Sequence, residues 1–110
     1  MVTASPGVVR VARQVLSTIV TNAALQIPGV IRMAQVSDQW SRLLAREVPK
    51  QGITLIIKDN TVTADLYIVV ANDANIVKVG SAVQDEVAAS LEHMVGMHVR
   101  EVNVYIQDVA

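Results

Sequence analysis

The feature that most constrains the fold is the last third of the chain, where a helical pattern passes through one glycine into an alternating pattern. The run NIVKVGSAVQDEVAASLEHMV carries apolar residues at helical spacing, and Gly96 ends it. REVNVYIQDV then alternates, with Val102, Val104 and Ile106 on one side and polar residues or Tyr105 on the other. A helix that leads directly into a strand predicts a mixed α and β protein.

Composition narrows the class of protein. The length of 110 residues predicts one domain over 1–110. The net charge is −1 and no basic block is present, so nothing indicates a phosphate backbone or an anionic membrane as a partner. The chain has no cysteine, which excludes disulfides and thiolate chemistry and fits a reducing cytosol. An apolar fraction of 52% against 17% charged residues indicates that some surface is buried against a partner or another copy.

Targeting signals are not evident in the sequence. No apolar run reaches the roughly 18 residues that cross a bilayer. The start, MVTASPGVV, lacks the charged and apolar regions of a signal peptide. The expected location is therefore the cytoplasm.

The first third of the chain predicts a helix with an open question before it. Residues 8–11 alternate as in a short strand, yet they also fit a helical stripe that starts at Pro6. From Arg13 on, the helical pattern is clear, and it ends at Pro28. Its apolar face comprises Leu16, Ile19, Val20, Ala23 and Ile27. Residues 30–36 are expected to be extended or irregular.

A short helix is a candidate over DQWSRLLARE, with Ser37 as its cap. Its apolar side comprises Trp40, Leu43 and Leu44. Such a helix could dock onto a partner or a membrane surface, but it is barely two turns long. Because a short helix needs tertiary support, packing against the chain's own core is favoured.

The middle of the chain contains the plainest hairpin pattern. ITLIIK (53–58) and TVTADLYIVV (61–70) flank Asp59 and Asn60, residue types that accept the positive φ of a tight turn. The positions expected to face the core are Ile53, Leu55, Ile57, Val62, Ala64, Leu66, Ile68 and Val70. Residues 72–75 form a polar connection that can cap the second helix. Its apolar stripe comprises Ile76, Val79, Val83, Val87, Leu91 and Met94.

The order of these elements predicts the fold class. With a strand at 8–11, the order is strand, helix, strand, strand, helix, strand. This order is typical of an α+β, ferredoxin-like or similar fold, in which a single sheet carries both helices on one face. The other face of the sheet is then open.

Residues for catalysis or metal binding do not come together in the sequence. His93 and His98 are five apart, outside the spacing of three or four that metal ligands on a helix favour. Asp65 lies within a strand, where a solvated position is more common than a general acid or base. No glycine-rich phosphate loop or nucleophile motif is present. We therefore predict a protein that is not an enzyme, with no catalytic, cofactor-binding or metal site.

The open face of the sheet is the candidate interaction surface. Its residues, together with Trp40 from the short helix, are Thr63, Asp65, Tyr67, Asn103, Tyr105 and Gln107. The two tyrosines are similar to the stacking surface of RNA-recognition modules, so a small RNA-binding domain is the alternative function. The absence of phenylalanine, the net charge of −1 and Asp65 on the presumed platform oppose it. A ligand pocket between helices and sheet is a third possibility.

Three segments resemble the alkaline shock protein family, the Gls-type envelope stress response proteins. VRVARQVLSTIVTNAALQIPGVIRMA resembles the opening strand, helix and V-x-G-V ending of that family. QGITLIIKDNTVTADLYIVV resembles its K-G-V-x-V and V-x-x-D-L-x-I-V-V strands, and NIVKVGSAVQDEVAASLEHMVGMHVREVNVYIQDV resembles N-I-x-x-V-x-x-x-V-Q-x-x-V followed by M-x-G-x-x-V-x-x-V-N-V-x-V. The matching positions are Ile27, Gly29, Val30, Gly52, Asp65, Leu66, Asn75, Ile76, Gln84, Met94, Gly96, Val102, Asn103 and Val104. The likeness covers roughly residues 7–109.

The chain departs from the family pattern in three places. Ala12 stands where relatives often have a serine or similar helix cap, so the start of the first helix is expected to fray. Residues 71–74 replace an aromatic residue and a glycine. The segment SDQWSRLLAREVPK replaces a middle region that is commonly glycine-rich, so a partner contact made there would differ.

The resemblance implies a fold and a function. It favours a strand at residues 8–11. It also implies a non-enzymatic cytoplasmic protein of envelope stress response or envelope homeostasis, peripheral to the inner face of the membrane. Such proteins resemble scaffolds that self-associate and dock onto a membrane-anchored relative. The expected partners are therefore further copies of the chain and that relative, with indirect membrane contact and no nucleic acid.

Overall fold

The computed structural model describes residues 6–35 and 51–110, which form two helices and four strands. The elements in chain order are α1 (Arg13–Leu25), β1 (Val30–Met33), β2 (Ile53–Lys58), β3 (Thr61–Val70), α2 (Ile76–Ser90) and β4 (His98–Val109). A π-helical turn, Leu91–Val95, continues α2. The fold class is α+β, as predicted.

β3 lies at the centre of the sheet, with neighbours on both edges. β4 pairs with it in parallel along one edge, from Thr61↔His98 to Val70↔Val109. On the other edge, β2 pairs antiparallel with residues 61–66, and β1 pairs antiparallel with residues 68–70. β1 and β2 therefore follow one another along the same edge of β3.

Both helices pack on one face of this sheet and share one hydrophobic core with it. The buried core residues of the helices are Leu16, Val20, Ala23, Ala24, Val79, Val83 and Val87. Those of the hairpin are Ile53, Leu55, Val62, Ala64, Leu66, Ile68 and Val70, and the partly buried Ile57 packs against them. The alternation of β2 and β3 thus places the predicted side chains in the core. This arrangement confirms the expected single sheet with two helices on one face.

The segment before α1 corrects the prediction for residues 8–11. These residues form neither a strand nor the start of a helix, and α1 begins at Arg13. Val8 is 76% exposed and Val9 is 96% exposed. Alternation alone does not make a strand, because a strand requires a neighbour to pair with and a surface to pack on. The first strand is instead β1, so the order is helix, strand, strand, strand, helix, strand.

The ends of the helices also differ from the prediction. α1 ends at Leu25, and Ile27 contacts the core from the loop that follows. Two members of the predicted stripe of α2 are exposed, Ile76 at 44% and Met94 at 69%. Ile76 lies in the first turn of α2. Met94 lies in the π-helical turn, whose wider winding rotates it off the α-helical stripe.

The hairpin turn holds the start of β4. Asp59 adopts a positive φ of 56°, as the tight turn requires. The side chain of Asn60 donates from Nδ2 to the Gly96 carbonyl at 3.2 Å, and its own carbonyl accepts from the His98 amide at 2.9 Å. Gly96 itself has φ 74°, which ends the π-helical turn in a left-handed cap. The turn thereby fixes where the helix ends and where β4 begins.

Candidate interaction surface on the open face of the sheet

Polar side chains of β3 and β4 lie side by side on the sheet face opposite the helices. The parallel register places Thr63 beside Glu101 and Asp65 beside Asn103. Asn103 Nδ2 donates to Asp65 Oδ1 at 2.9 Å and to Glu101 Oε2 at 3.3 Å. One amide thus holds two carboxylates, which accounts for an aspartate in a strand, where this residue type is depleted.

The two tyrosines stack on one another next to this polar group. Tyr67 pairs with Tyr105 in the β3–β4 register, and their ring centroids lie 4.8 Å apart with an interplanar angle of 18°. That distance equals the usual spacing of neighbouring strands, so the rings stand side by side on the sheet. A platform for base stacking needs rings whose faces point outward, whereas each ring here turns one face to the other. The stacked pair stabilises this part of the sheet by roughly 0.5–1.5 kcal/mol.

Gln107 differs from the other predicted surface residues because it is buried. Its side chain is only 4% exposed, and its Oε1 atom has no hydrogen bond. The pairing with β3 passes from Ile68↔Ile106 to Val69↔Asp108, which leaves Gln107 as an extra residue in β4. Ala34 and Val69, both fully buried, form a small second cluster against which Tyr67 packs. This end of the face is therefore closed to solvent.

The structure brings five predicted surface residues together on the open part of this face. They are Thr63, Asp65, Tyr67, Asn103 and Tyr105, all half-buried. The predicted helix over 38–47, with Trp40, lies outside the described residues. Ile56 was not among the predicted surface residues, yet it is 58% exposed and pairs with Thr63 on the same face. The alternation of β2 in the sequence already indicates that Ile56 lies on the open face. A role of these residues in binding stays a prediction.

In the same part of the chain, potential metal ligands are scattered and shallow cavities are present. Across residues 6–35 and 51–110, no three histidine, cysteine, aspartate or glutamate side chains group together as metal ligands would. One shallow cavity on α1 is lined by uncharged polar side chains, Gln14, Ser17, Thr18, Thr21, Asn22 and Gln51. A second, mostly apolar one is lined by Val9, Val11, Leu16, Ile57, Asn60, Val95 and Met97. None of the described helices has the length and apolar character needed to span a bilayer.

The fold defines a small α+β protein with one sheet face under two helices and the other face carrying an ordered polar and aromatic surface. The family model that matches residues 1–110 is that of the alkaline shock protein 23 family, with a cell envelope-related function. The chain belongs to this family, and the resemblance found in its motifs is confirmed.

Relatives in two organisms resemble the chain over most of its length. The uncharacterized protein Spy1614 of Streptococcus pyogenes serotype M6 is 29% identical over 106 residues, which cover 94% of this chain and 88% of that protein. In Bacillus subtilis strain 168, the uncharacterized protein YloU is 26% identical with the same two coverages. The uncharacterized protein YqhY of that strain is 27% identical over 91% of this chain and 75% of its own length.

Solved structures of MamM CTD share the fold. The structure of MamM-CTD 215-293 superposes with a TM-score of 0.56 at 12% identity, covering 88% of this chain and 99% of that one. A copper form of a MamM CTD variant gives a TM-score of 0.56 at 11% identity, covering 88% and 98%. At this level of identity the likeness concerns the fold alone.

Proposed function

We propose that the protein is a non-enzymatic scaffold of envelope stress response or envelope homeostasis. It works in the cytoplasm through protein contacts: it self-associates and docks to a membrane-anchored relative, so that its contact with the membrane is indirect. The observation that carries this proposal is the open sheet face, which neither helix covers and which presents fixed polar groups beside an exposed apolar residue. The cell envelope-related function of the family supports the setting.

Two features of the open face support a role as a specific contact surface. The Asp65–Asn103–Glu101 network is hydrogen-bonded before any partner arrives, so little side-chain freedom is lost on binding. Charged groups in fixed positions favour one partner over others. The exposed Ile56 adds an apolar contact beside this network. Such a mixture of fixed polar groups and apolar contacts is typical of protein–protein interfaces.

The alternative function, RNA binding on the same face, has less support. Asp65 and Glu101 place negative charge where a phosphate backbone would lie, and phosphate contacts supply most of the affinity for single strands. The tyrosine rings stack on each other. Both features weaken the attraction for a nucleic acid.

The proposal is tested in the native cell with two matched variants. Ile56→Glu adds a charge to the open face, and Val77→Glu adds the same charge to an exposed position on α2, where the valine is 76% exposed. Neither side chain makes a hydrogen bond that the change would break. We expect the wild type and Val77→Glu to sediment with the envelope fraction and to capture a membrane-anchored relative, and Ile56→Glu to do neither. A wild-type protein that stays in the soluble fraction would refute the scaffold proposal, and equal behaviour of the two variants would remove the open face from it.

A further inference from the structure

The pairing of β3 on both sides determines which backbone groups of β4 point away from the sheet. The Tyr67 amide donates to the Gly52 carbonyl, and the Tyr67 carbonyl accepts from the Ala34 amide. The backbone amide and carbonyl of Tyr67 therefore point toward the edge of β3 that pairs with β1 and β2. The backbone groups of its neighbours Leu66 and Ile68 must then point toward β4. In a parallel ladder, the residues opposite them turn their own amides and carbonyls away from the sheet, and these residues are Val104 and Ile106. For the same reason, the backbone groups of Val102, which lies opposite Ala64, also point outward.

A side chain covers one of these outward groups. Gln84 on α2 donates from Nε2 to the Val102 carbonyl at 3.0 Å, which agrees with the outward direction of that carbonyl. In the part of the chain that the structure describes, the outward amides and carbonyls of Val104 and Ile106 make no hydrogen bond. A row of such groups on an edge strand is a template for another strand.

Over residues 102–106, the edge of β4 lacks the charges and prolines that keep strand edges apart. Its regular stretch between the two irregularities, VNVYI over 102–106, contains no charged residue and no proline. The edge of β2 is different, because the cationic Arg13 donates from Nη1 to the outward Leu55 carbonyl at its centre. Two β2 edges brought together would place two guanidinium groups side by side. The edge of β4 is therefore the one suited to a second copy.

We propose that β4 pairs antiparallel with β4 of a second copy across a two-fold axis at Tyr105. This inference rests on the self-association in the proposed function and assigns it to one strand. In this register Val104 lies opposite Ile106 of the second copy, and each of these two residue pairs exchanges two hydrogen bonds. All the unpaired outward groups of both residues then find partners. The result is one continuous eight-stranded sheet, because each copy contributes its four strands.

The absence of cysteine allows this register to be tested by single-cysteine cross-linking. At the axis, two copies of residue 105 form a non-hydrogen-bonded pair with Cα atoms about 4.5 Å apart, within the range of a disulfide. Tyr105→Cys should therefore give a covalent dimer on mild oxidation. Ile56→Cys, an exposed position at the opposite edge of the sheet, should form no covalent dimer under the same conditions, because the proposed pairing keeps its two copies apart. A covalent dimer of Ile56→Cys, together with no covalent dimer of Tyr105→Cys, would overturn the proposed pairing.

A second pair of variants does not depend on replacing a tyrosine. Val104→Pro removes an outward amide and leaves the ladder to β3 intact, since proline is tolerated where the amide of an edge strand faces solvent. We expect it to weaken self-association about tenfold or more, measured by sedimentation, with an unchanged circular dichroism spectrum. Ile57→Pro removes the corresponding outward amide of β2 and should leave association unchanged.

The outcomes separate this inference from the proposed function. If Val104→Pro associates as the wild type does while Ile57→Pro does not, the contact lies at β2, and the inference fails while self-association stands. If the wild type stays monomeric at high concentration, both the pairing and the self-association in the proposed function fail.

Discussion

Gly52 controls how β1 and β2 share one edge of β3. It has φ +72°, a conformation that other residues adopt at a cost. A Cβ atom at this position would lie 2.8 Å from the Ala34 carbonyl oxygen and 3.0 Å from that of Tyr67. These are backbone atoms in the sheet and cannot move aside cheaply. The glycine therefore lets the chain enter β2 directly beside the end of β1.

We expect Gly52→Ala to lower the free energy of unfolding by about 2–3 kcal/mol, since it combines backbone strain with a close contact. Equilibrium unfolding in urea measures the change. Gly80→Ala is the matched control, because Gly80 lies within α2 and an added Cβ would meet nothing within 4 Å. There alanine should raise the free energy of unfolding by up to about 1 kcal/mol. A shift of both variants in the same direction would contradict this role of Gly52.

Several residues that carry the family resemblance have structural roles, and of these only the cap of α2 within residues 72–75 was predicted. Asn75 accepts a hydrogen bond from the Lys78 amide and so caps α2. Gln84 covers the Val102 carbonyl, and Asn103 joins Asp65 to Glu101. Asn103 and Asp65 lie 38 residues apart, so only the β3–β4 register brings them together. The motif positions were thus visible in the sequence, but the contacts between them depend on tertiary structure. For Met94, another motif position, the described residues show no comparable role.

Among the elements, the β2–β3 hairpin is the one that sequence predicts best, because all its signals are local. Alternation and the Asp59–Asn60 turn determine both its register and its buried side. The parallel pairing of β3 with β4 depends instead on a crossover through α2, which no local pattern specifies. Residues 8–11 show the opposite case, in which a strand-like pattern pairs with no strand among the described residues.

The two helices begin differently, and this difference predicts opposite effects of two substitutions. Ala12 gives α1 no side-chain hydrogen bond, whereas the Asn75 side chain caps α2 at 3.1 Å. Ala12→Ser should raise the free energy of unfolding by about 1 kcal/mol, and Asn75→Ala should lower it by about the same amount. Thermal unfolding followed by circular dichroism measures both. No gain from Ala12→Ser would mean that the start of α1 does not limit its stability.

For the molecule as a whole, the sheet offers one open face and two outer edges, and charge distinguishes what each can bind. The open face carries the paired carboxylates Asp65 and Glu101. The β4 edge is uncharged over 102–106, and the β2 edge holds Arg13. An interaction with nucleic acid would involve the open face, whereas an interaction with another copy would involve an edge.

We expect no binding of a single-stranded RNA of about 12 nucleotides at physiological salt, because the carboxylates repel phosphate and the rings do not face outward. Fluorescence anisotropy of a labelled RNA measures this, with Tyr67→Ala and Tyr105→Ala as matched variants. A salt-sensitive rise in anisotropy that both substitutions abolish would favour RNA binding over the scaffold.

The proposed self-association would make the stability of this protein depend on its concentration. A state that assembles only when folded is stabilised by mass action, and a hundredfold excess over the dissociation constant adds about 2.7 kcal/mol. The unfolding midpoint of the wild type should therefore rise with protein concentration. In Val104→Pro, which loses an outward amide of β4, the midpoint should stay constant over the same range. The two proteins keep the same helices and the same β3–β4 ladder. Any difference in how their unfolding midpoints depend on concentration therefore reports on the edge contact. A wild-type midpoint that does not change across a hundredfold range would show that folding and assembly are not coupled.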